Sequence, residues 1–284
     1  MKTKALLLKT ALTGLVKASA AFIAFAMTAM ATNLLGADES GLFFLATSIL
    51  AFSCVFFRLG LDSIILRLLS AGNGSESSLS AMKTGLFVTF VLSLVVSISV
   101  SLSSDFIADT VFSKPEFSTT LSVMILVLPF AVTFMLLSFG FQAFYRVIAA
   151  SFYQNLGVYS LFIISFLSFS YYIGWGDLVA SQAAVLYLCS AIIIFVSGLF
   201  LWNKQVEGRW GKVQLRNYAL WSGASNLWVA TVMALAVHWS GILIAGMYVE
   251  AEDIAYFSTA QRTAVLTSFI LTVVNIVIAP RYAR

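Results

Sequence analysis

The side chains best placed to do chemistry in this sequence are ionisable groups standing alone inside long apolar runs: Lys17, Arg58, Asp62, His238 and Arg262. At bilayer depth such a group costs about 2.5–3.5 kcal/mol on insertion scales, so each should face a water-filled cavity or a partner. Arg262 is the clearest case. It lies nine residues beyond Asp253, roughly 14 Å into the last apolar run at about 1.5 Å per residue, too deep for easy snorkelling. Facing a cavity, it would attract a pyrophosphate or an acidic sugar; facing protein, it would form an internal structural pair. Lys17, about six residues into the first run, either joins it in a substrate cavity or reaches the nearby interface along its flexible stem. Arg58 and Asp62 are four apart on one helix face, so they are either a cavity cation with an acid available for ion coupling or a local ion pair. His238, the only histidine, either takes part in proton coupling or makes a structural hydrogen bond. Asn226 and Ser222, also four apart, suit helix packing.

Nothing else has the form of a catalytic apparatus. There is no phosphate-cradling glycine loop, nucleophile elbow or cluster of metal ligands, so no catalytic residue, metal or cofactor is assigned. Cys54 and Cys189 both fall in apolar segments and read as buried structural thiols. The net charge of +4 comes from basic residues scattered singly, without the stripe that nucleic-acid binding needs.

The elements that must position these groups are helices whose solvent is lipid. Hydrophobic residues make up 61% of the 284 positions and charged residues 10%, against about 25% charged in a soluble domain. Polar residues at that level cannot cover a globule in water, whereas a bilayer accepts an apolar exterior provided that backbone hydrogen bonds close within helices. Charge-free runs of about 20 residues mark eight spans: Ala11 to Leu35, Gly41 to Leu61, Thr84 to Leu102, Thr120 to Gly140, Asn155 to Ile173, Leu178 to Trp202, Tyr218 to Tyr248 and Asp253 to Ala279. The seventh is long enough to tilt or to begin as an interfacial helix. Pro129 should kink the fourth, and Ser103 to Thr119 should hold one interfacial turn around Phe106, Ile107 and Phe112. The serine- and glycine-rich stretch Ser70 to Met82 reads as a flexible linker; its Asn73-Gly74-Ser75 matches a glycosylation acceptor by chance, because the loop falls on the cytoplasmic side. Trp175, Trp202, Trp210 and Trp221 fit an aromatic belt.

Lys and Arg fix the orientation. With the N-terminus cytoplasmic, that side holds Lys2, Lys83, Arg146, Arg209, Lys212 and Arg281 among others, and the opposite side only Lys114. Acidic residues such as Asp38, Glu39, Glu116, Glu250 and Asp253 collect in the outer connections. Both biases give one topology.

Displacing the chain by 214 positions lays Ala37-Asp38-Glu39 on Ala251-Glu252-Asp253, Phe43 on Phe257, Ala46 on Ala260 and Arg67 on Arg281. A second copy beginning six spans after the first implies a pseudo-two-fold along the membrane normal. The expected organisation is an all-α polytopic membrane protein with one six-helix lobe, residues 1–216, and the first two helices of a second lobe, residues 217–284. On that reading the chain is a fragment of a longer protein that lacks at least four helices.

The stretch from Leu34-Leu35-Gly36-Ala37-Asp38-Glu39 to Phe43, then Arg58-Leu59-Gly60-Leu61-Asp62, then Ala255-Tyr256-Phe257-Ser258-Thr259-Ala260-Gln261-Arg262 and Asn275 to Arg281, resembles the polysaccharide flippases of the multidrug, oligosaccharidyl-lipid and polysaccharide exporter superfamily. The resemblance implies a V-shaped pair of six-helix lobes with alternating access in the bacterial inner membrane. Its implied partners are membrane lipids and an undecaprenyl-diphosphate-linked oligosaccharide, moved from the cytoplasmic to the periplasmic leaflet with possible proton or cation coupling. It also implies that cations from the first, second and eighth helices line the cavity, which makes Lys17, Arg58 and Arg262 the candidates. Asn33 and Gly241 stand where many members carry Arg and an acid, which puts coupling through the latter position in doubt. Two alternatives have discriminating features. A multidrug extruder of the same superfamily would favour acidic cavity residues, whereas the spans here carry Lys and Arg. A membrane enzyme of glycan assembly would need placed acids and bases, for which the short outer loops offer little room.

Overall fold

The computed structural model describes residues 2–72, 74–173, 178–216, 218–221 and 223–264. Helix α1 runs Lys2–Phe57 but breaks at Gly36, with φ 79° and ψ 178°. The break reverses the chain. Thr28 and Phe44 would stand about 24 Å apart along an unbroken helix. Both nevertheless meet the guanidinium of Arg262, Thr28 through a hydrogen bond and Phe44 with its ring centroid at 5.0 Å. The limbs on either side of Gly36 therefore lie against each other, as the first two predicted spans require, and glycine supplies the positive φ at the turn.

The remaining helices are α2 (Leu61–Gly72), α3 (Glu76–Leu102), α4 (Ser104–Thr110), α5 (Phe117–Ile125), α6 (Leu128–Ala143), α7 (Val147–Ser151), α8 (Gly157–Ile173), α9 (Ala180–Gln205), α10 (Tyr218–Trp221) and α11 (Ala224–Tyr248); residues 251–264 are also helical. Four segments are long and apolar enough to cross a membrane, namely Ser19–Phe57, α3, α9 and α11. Two bent pairs raise the number to six: α5 with α6 at 41°, and Val147–Gln154 with Gly157–Tyr171 at 52°. Separating the two limbs of α1 adds a further span, and residues 251–264 open the one predicted from Asp253, whose remainder lies outside the described residues. The molecule is an all-α polytopic membrane protein.

Several local expectations change. The second span ends at Phe57, and after a turn through Leu59 (φ 53°) and Gly60 (φ 68°) the chain forms α2. Hydropathy windows miss α2 because it is short and amphipathic, burying Leu61, Ile64, Ile65 and Leu69 while exposing Arg67. Most of the expected linker Ser70 to Met82 is helical: Ser75 caps α3 by accepting from the Ser78 backbone N–H at 3.4 Å, and Asn73 lies outside the described residues. Pro129 is the second residue of α6, where its missing N–H costs no helical hydrogen bond, so the fourth span bends just before it. A π-helical turn, Phe152–Leu156, bends the fifth. The seventh begins with the separate helix α10, and α4 is a short helix within the stretch Ser103 to Thr119, with Phe106 exposed and Phe112 buried.

The bundle packs through small polar and aromatic faces. Thr89, Ser93 and Ser97 form one buried side of α3, each hydroxyl donating to a carbonyl three or four residues earlier, which allows close helix approach. Phe43 stacks on Phe162 at 5.4 Å, and Tyr187 packs edge-on against both. Outward, α3 shows Phe87 and Val95, α9 shows Ile193 and Phe200, and α11 shows Met233 and Val237. Such an exterior suits lipid or further helices, and not water.

Candidate functional site

The second limb of α1 and α11 run antiparallel along a seam of small residues. At one end Gly60 abuts the backbone of Ala224 and Trp228, and Trp228 donates its indole N–H to the Phe56 carbonyl at 2.7 Å. At the other, Gly246 receives the side chain of Leu45 and Gly41 touches the Ala251 carbonyl. The chain then turns at Val249 and returns as helix 251–264 beside α11, held by a 3.0 Å hydrogen bond from Gln261 to the His238 carbonyl. Gly241 lies under the Phe257 ring, which a larger side chain would displace. This hairpin delivers Arg262 to the bundle.

Arg262 donates to the Thr28 hydroxyl and lies over Phe44. It borders a partly open cavity of about 70 Å³ shared with Thr47, Cys54, Tyr159, Tyr187 and Trp239, room for a few waters but not for a sugar. All but the third span contribute to its wall. No carboxylate pairs with Arg262 among the described residues, whose two ion pairs are Arg58–Asp62 and Arg209–Glu207. Its hydrogen-bond partner there is the Thr28 hydroxyl, with the Phe44 ring beneath it and the Tyr159 and Tyr187 phenols on the same cavity. Such a cation is electrostatically underused, because an oxyanion at the same place would form charge-assisted bonds about twice as strong as neutral ones.

The other sequence candidates are placed differently. Arg58 bonds Asp62 at 3.0 Å, with side-chain exposures of 11% and 12%, and its Nε donates to the Cys54 carbonyl at 3.3 Å. The pair thus clamps the α1–α2 corner, Arg58 satisfying a carbonyl at the end of one helix and Asp62 standing in the first turn of the next. Arg58 does not border the Arg262 cavity, although Cys54, one turn before it, does. His238 is exposed on α11 and packs edge-on against Trp239 at 5.1 Å. Asn226 and Asn33 are exposed, and the Asn33 amide donates to the Ala29 carbonyl at 2.7 Å. The side chain of Lys17, and Ser222, lie outside the described residues.

Asp62→Ala should leave Arg58 half-buried without its carboxylate and destabilise the protein by about 3–5 kcal/mol, read as a lower melting temperature in detergent. Replacing both, with Arg58→Met and Asp62→Leu, should recover most of that loss. A double variant as unstable as the single one would refute a brace.

A second, wider space lies at the end of the bundle that carries the acidic turns. Asp38, Glu39, Glu116 and Glu250 border a cleft of about 540 Å³ together with Lys114. Lys114 Nζ donates to the carbonyls of Gly246 at 3.0 Å and Phe112 at 3.3 Å. Glu39 accepts from the Ala180 N–H at 2.6 Å, capping α9. The turns that the 214-residue displacement superimposes thus meet at one mouth, through Ala37 to Glu39 on one side and Glu250 and Ala251 on the other. Among the described residues no group of three or more His, Cys, Asp or Glu can hold a metal ion.

Sequence reasoning found Arg262 but not its surroundings. Thr28, Phe44, Tyr159 and Tyr187 look like any other residues of apolar spans, and Thr28 is 234 positions from the arginine it meets. A family model described as polysaccharide biosynthesis protein matches residues 6–284. No curated protein and no solved structure matches the chain.

Proposed function

This chain belongs to the polysaccharide biosynthesis protein family, and we propose that it is a flippase that carries an undecaprenyl-diphosphate-linked oligosaccharide across the bacterial inner membrane. The role in polysaccharide biosynthesis or export follows from the family; the cargo and the act of flipping are our reading. One observation carries it: an arginine in the last described helix, directed into the bundle, with no carboxylate beside it. A membrane protein retains an unpaired cation at that depth when an anion visits it. The diphosphate is the charged part of the cargo, and its polyprenyl tail stays in lipid.

The space beside Arg262 among the described helices is about 70 Å³, too small for a glycan, so on this reading the seam between the α1 limb and α11 opens to admit one. That requirement suits alternating access, in which the cavity faces one side at a time. Lys17 and Arg58 remain candidates for further cationic contacts once the seam is open, and Asp62 and His238 for ion coupling.

The test is translocation of a fluorescent lipid-linked oligosaccharide in proteoliposomes, followed by quenching of the label in the outer leaflet. Vesicles containing the protein should translocate it faster than protein-free vesicles, and should leave an undecaprenol lacking the diphosphate at the protein-free rate. Equal rates for the oligosaccharide with and without protein would refute flipping.

A further inference from the structure

Hydrogen bonds join residues 1–216 to the α11 hairpin at three depths. In the middle, Arg262 meets Thr28. Toward the basic end, the Trp228 indole donates to the Phe56 carbonyl at 2.7 Å, with its ring edge-on to Phe56 at 4.9 Å. At the acidic end, Lys114 Nζ reaches across to the Gly246 carbonyl at 3.0 Å. Trp228 and Gly246 stand about 27 Å apart along α11 at about 1.5 Å per residue, close to the thickness of a hydrocarbon core. Along the α1 limb, Thr47 to Cys54 of the inner cavity fall between Leu45, which packs on Gly246, and Phe56, which bonds Trp228. The cavity thus lies between two fastened ends.

The two ends are fastened by different chemistry. At the basic end donor and acceptor are both neutral, and Gly60 lets the backbone of Ala224 and Trp228 close over the turn. At the acidic end the donor is a cation. The Lys114 backbone is fixed in its own connection, its N–H donating to the Ala108 carbonyl at 2.9 Å and its carbonyl accepting from Phe117 at 3.0 Å, so only the side chain crosses the seam. It takes a carbonyl in the last turn of α11, where Val249 leaves the helix in an extended conformation and intrahelical donors run out, and where the helix dipole favours positive charge. Asp38, Glu39, Glu116 and Glu250 border the same cleft, yet among the described residues none of them forms an ion pair with Lys114. Nζ also donates to the Phe112 carbonyl at 3.3 Å, on its own side. When Lys114 lets go of Gly246 it keeps that partner and finds carboxylates at hand, so its bond holds the seam shut without making opening costly.

We propose that Lys114 and Trp228 are the two latches of this seam: Lys114 releases Gly246 to open the acidic end while Trp228 holds the basic end shut, and the reverse. The proposal rests on the flippase reading, which requires the seam to open, and adds the side chains that decide which end does so. Each latch is far enough from the other to serve as the pivot when its counterpart parts.

The experiment reads the buried native thiol Cys54, on the cavity between the latches. The full chain carrying Cys189→Ser is placed in membrane vesicles of both orientations and treated with a membrane-impermeant maleimide; a separate Ser113→Cys protein, altered at an exposed position, marks the vesicles that present the acidic end. Lys114→Met, which keeps the length and loses the donor, should label Cys54 roughly tenfold faster from the acidic end and at the wild-type rate from the basic end. Lys114→Arg should label as the wild type does. Trp228→Phe, which keeps a ring and loses the N–H, should label about threefold faster from the basic end alone, and it carries the test should Lys114→Met fail to fold. Acceleration from both ends by a folded variant, or from neither, would overturn the latches. Labelling needs no cargo, so the two readings fail separately. End-specific labelling without translocation of the lipid-linked oligosaccharide would overturn flipping and leave the latches, whereas translocation with labelling that ignores the end would overturn the latches alone.

Discussion

Arg262→Ala is expected to cut translocation of a lipid-linked oligosaccharide by roughly thirtyfold or more, while the purified protein melts close to the wild type. The size follows from removing one partner of a buried, hydrogen-bonded charge pair, a loss of about 2–5 kcal/mol when the anion is bound. The small effect on stability follows from what Arg262 touches. Its partners are the Thr28 hydroxyl and the Phe44 ring; the cation–π contact contributes about 2 kcal/mol when desolvated and the hydrogen bond to the charged group about 1.5–3 kcal/mol, which together roughly offset a cost of about 2.5–3.5 kcal/mol for the charge at depth. A residue kept for packing would behave in the opposite way, its loss lowering the melting temperature and leaving the rate per folded molecule unchanged. Arg262→Lys should recover only part of the activity, since an ammonium offers a point charge in place of a planar fork. Translocation by Arg262→Ala at the wild-type rate would remove this arginine from the transport pathway.

The largest effect on folding is expected at Gly41. A Cβ there would lie 1.7 Å from the Ala251 carbonyl oxygen and 2.5 Å from its carbon, both of them backbone atoms at the start of helix 251–264. No rotamer change relieves such an overlap. The helix must lift away from the α1 limb, and Gly41→Ala should therefore cost about 3 kcal/mol or more, measured as a lower melting temperature or as loss of folded protein on solubilisation. Gly246→Ala supplies the comparison. Its Cβ would meet Leu45 Cδ1 at 2.5 Å, the end of a side chain that can rotate, so the same substitution should be milder there. If the two variants are equally stable, the hairpin does not dock through Gly41.

The two substitutions divide the labour of the seam. Gly41 allows helix 251–264 to reach the bundle, and that approach carries Arg262 to Thr28. A change at Gly41 should thus impair transport through position, whereas one at Arg262 impairs it through charge.

How far the site was legible from the sequence can be judged residue by residue. The apolar runs marked the spans because transfer into lipid is close to a sum over residues, and each run carries its own share. The same additivity singled out Arg262, whose depth in its run made it anomalous without knowledge of any neighbour. It failed for α2, where a third of a short helix is polar and no window reports it, and for the stretch from Ser70 to Met82, where serine composition suggested a linker but Ser75 caps a helix. Arg58 and Asp62 were legible as a pair from spacing alone; that the pair braces a corner depended on Leu59 and Gly60 turning the chain there.

The sequence alone therefore determined the solvent, the helical class and the one cation that most needs an explanation. The tertiary structure decided what surrounds that cation. Thr28 and Phe44 meet Arg262 only because Gly36 reverses the first long helix and Gly41 admits the last described one, and closure of a chain over 234 positions depends on every turn between. Burial energies are local to each residue, but which residues become neighbours is a property of the whole path.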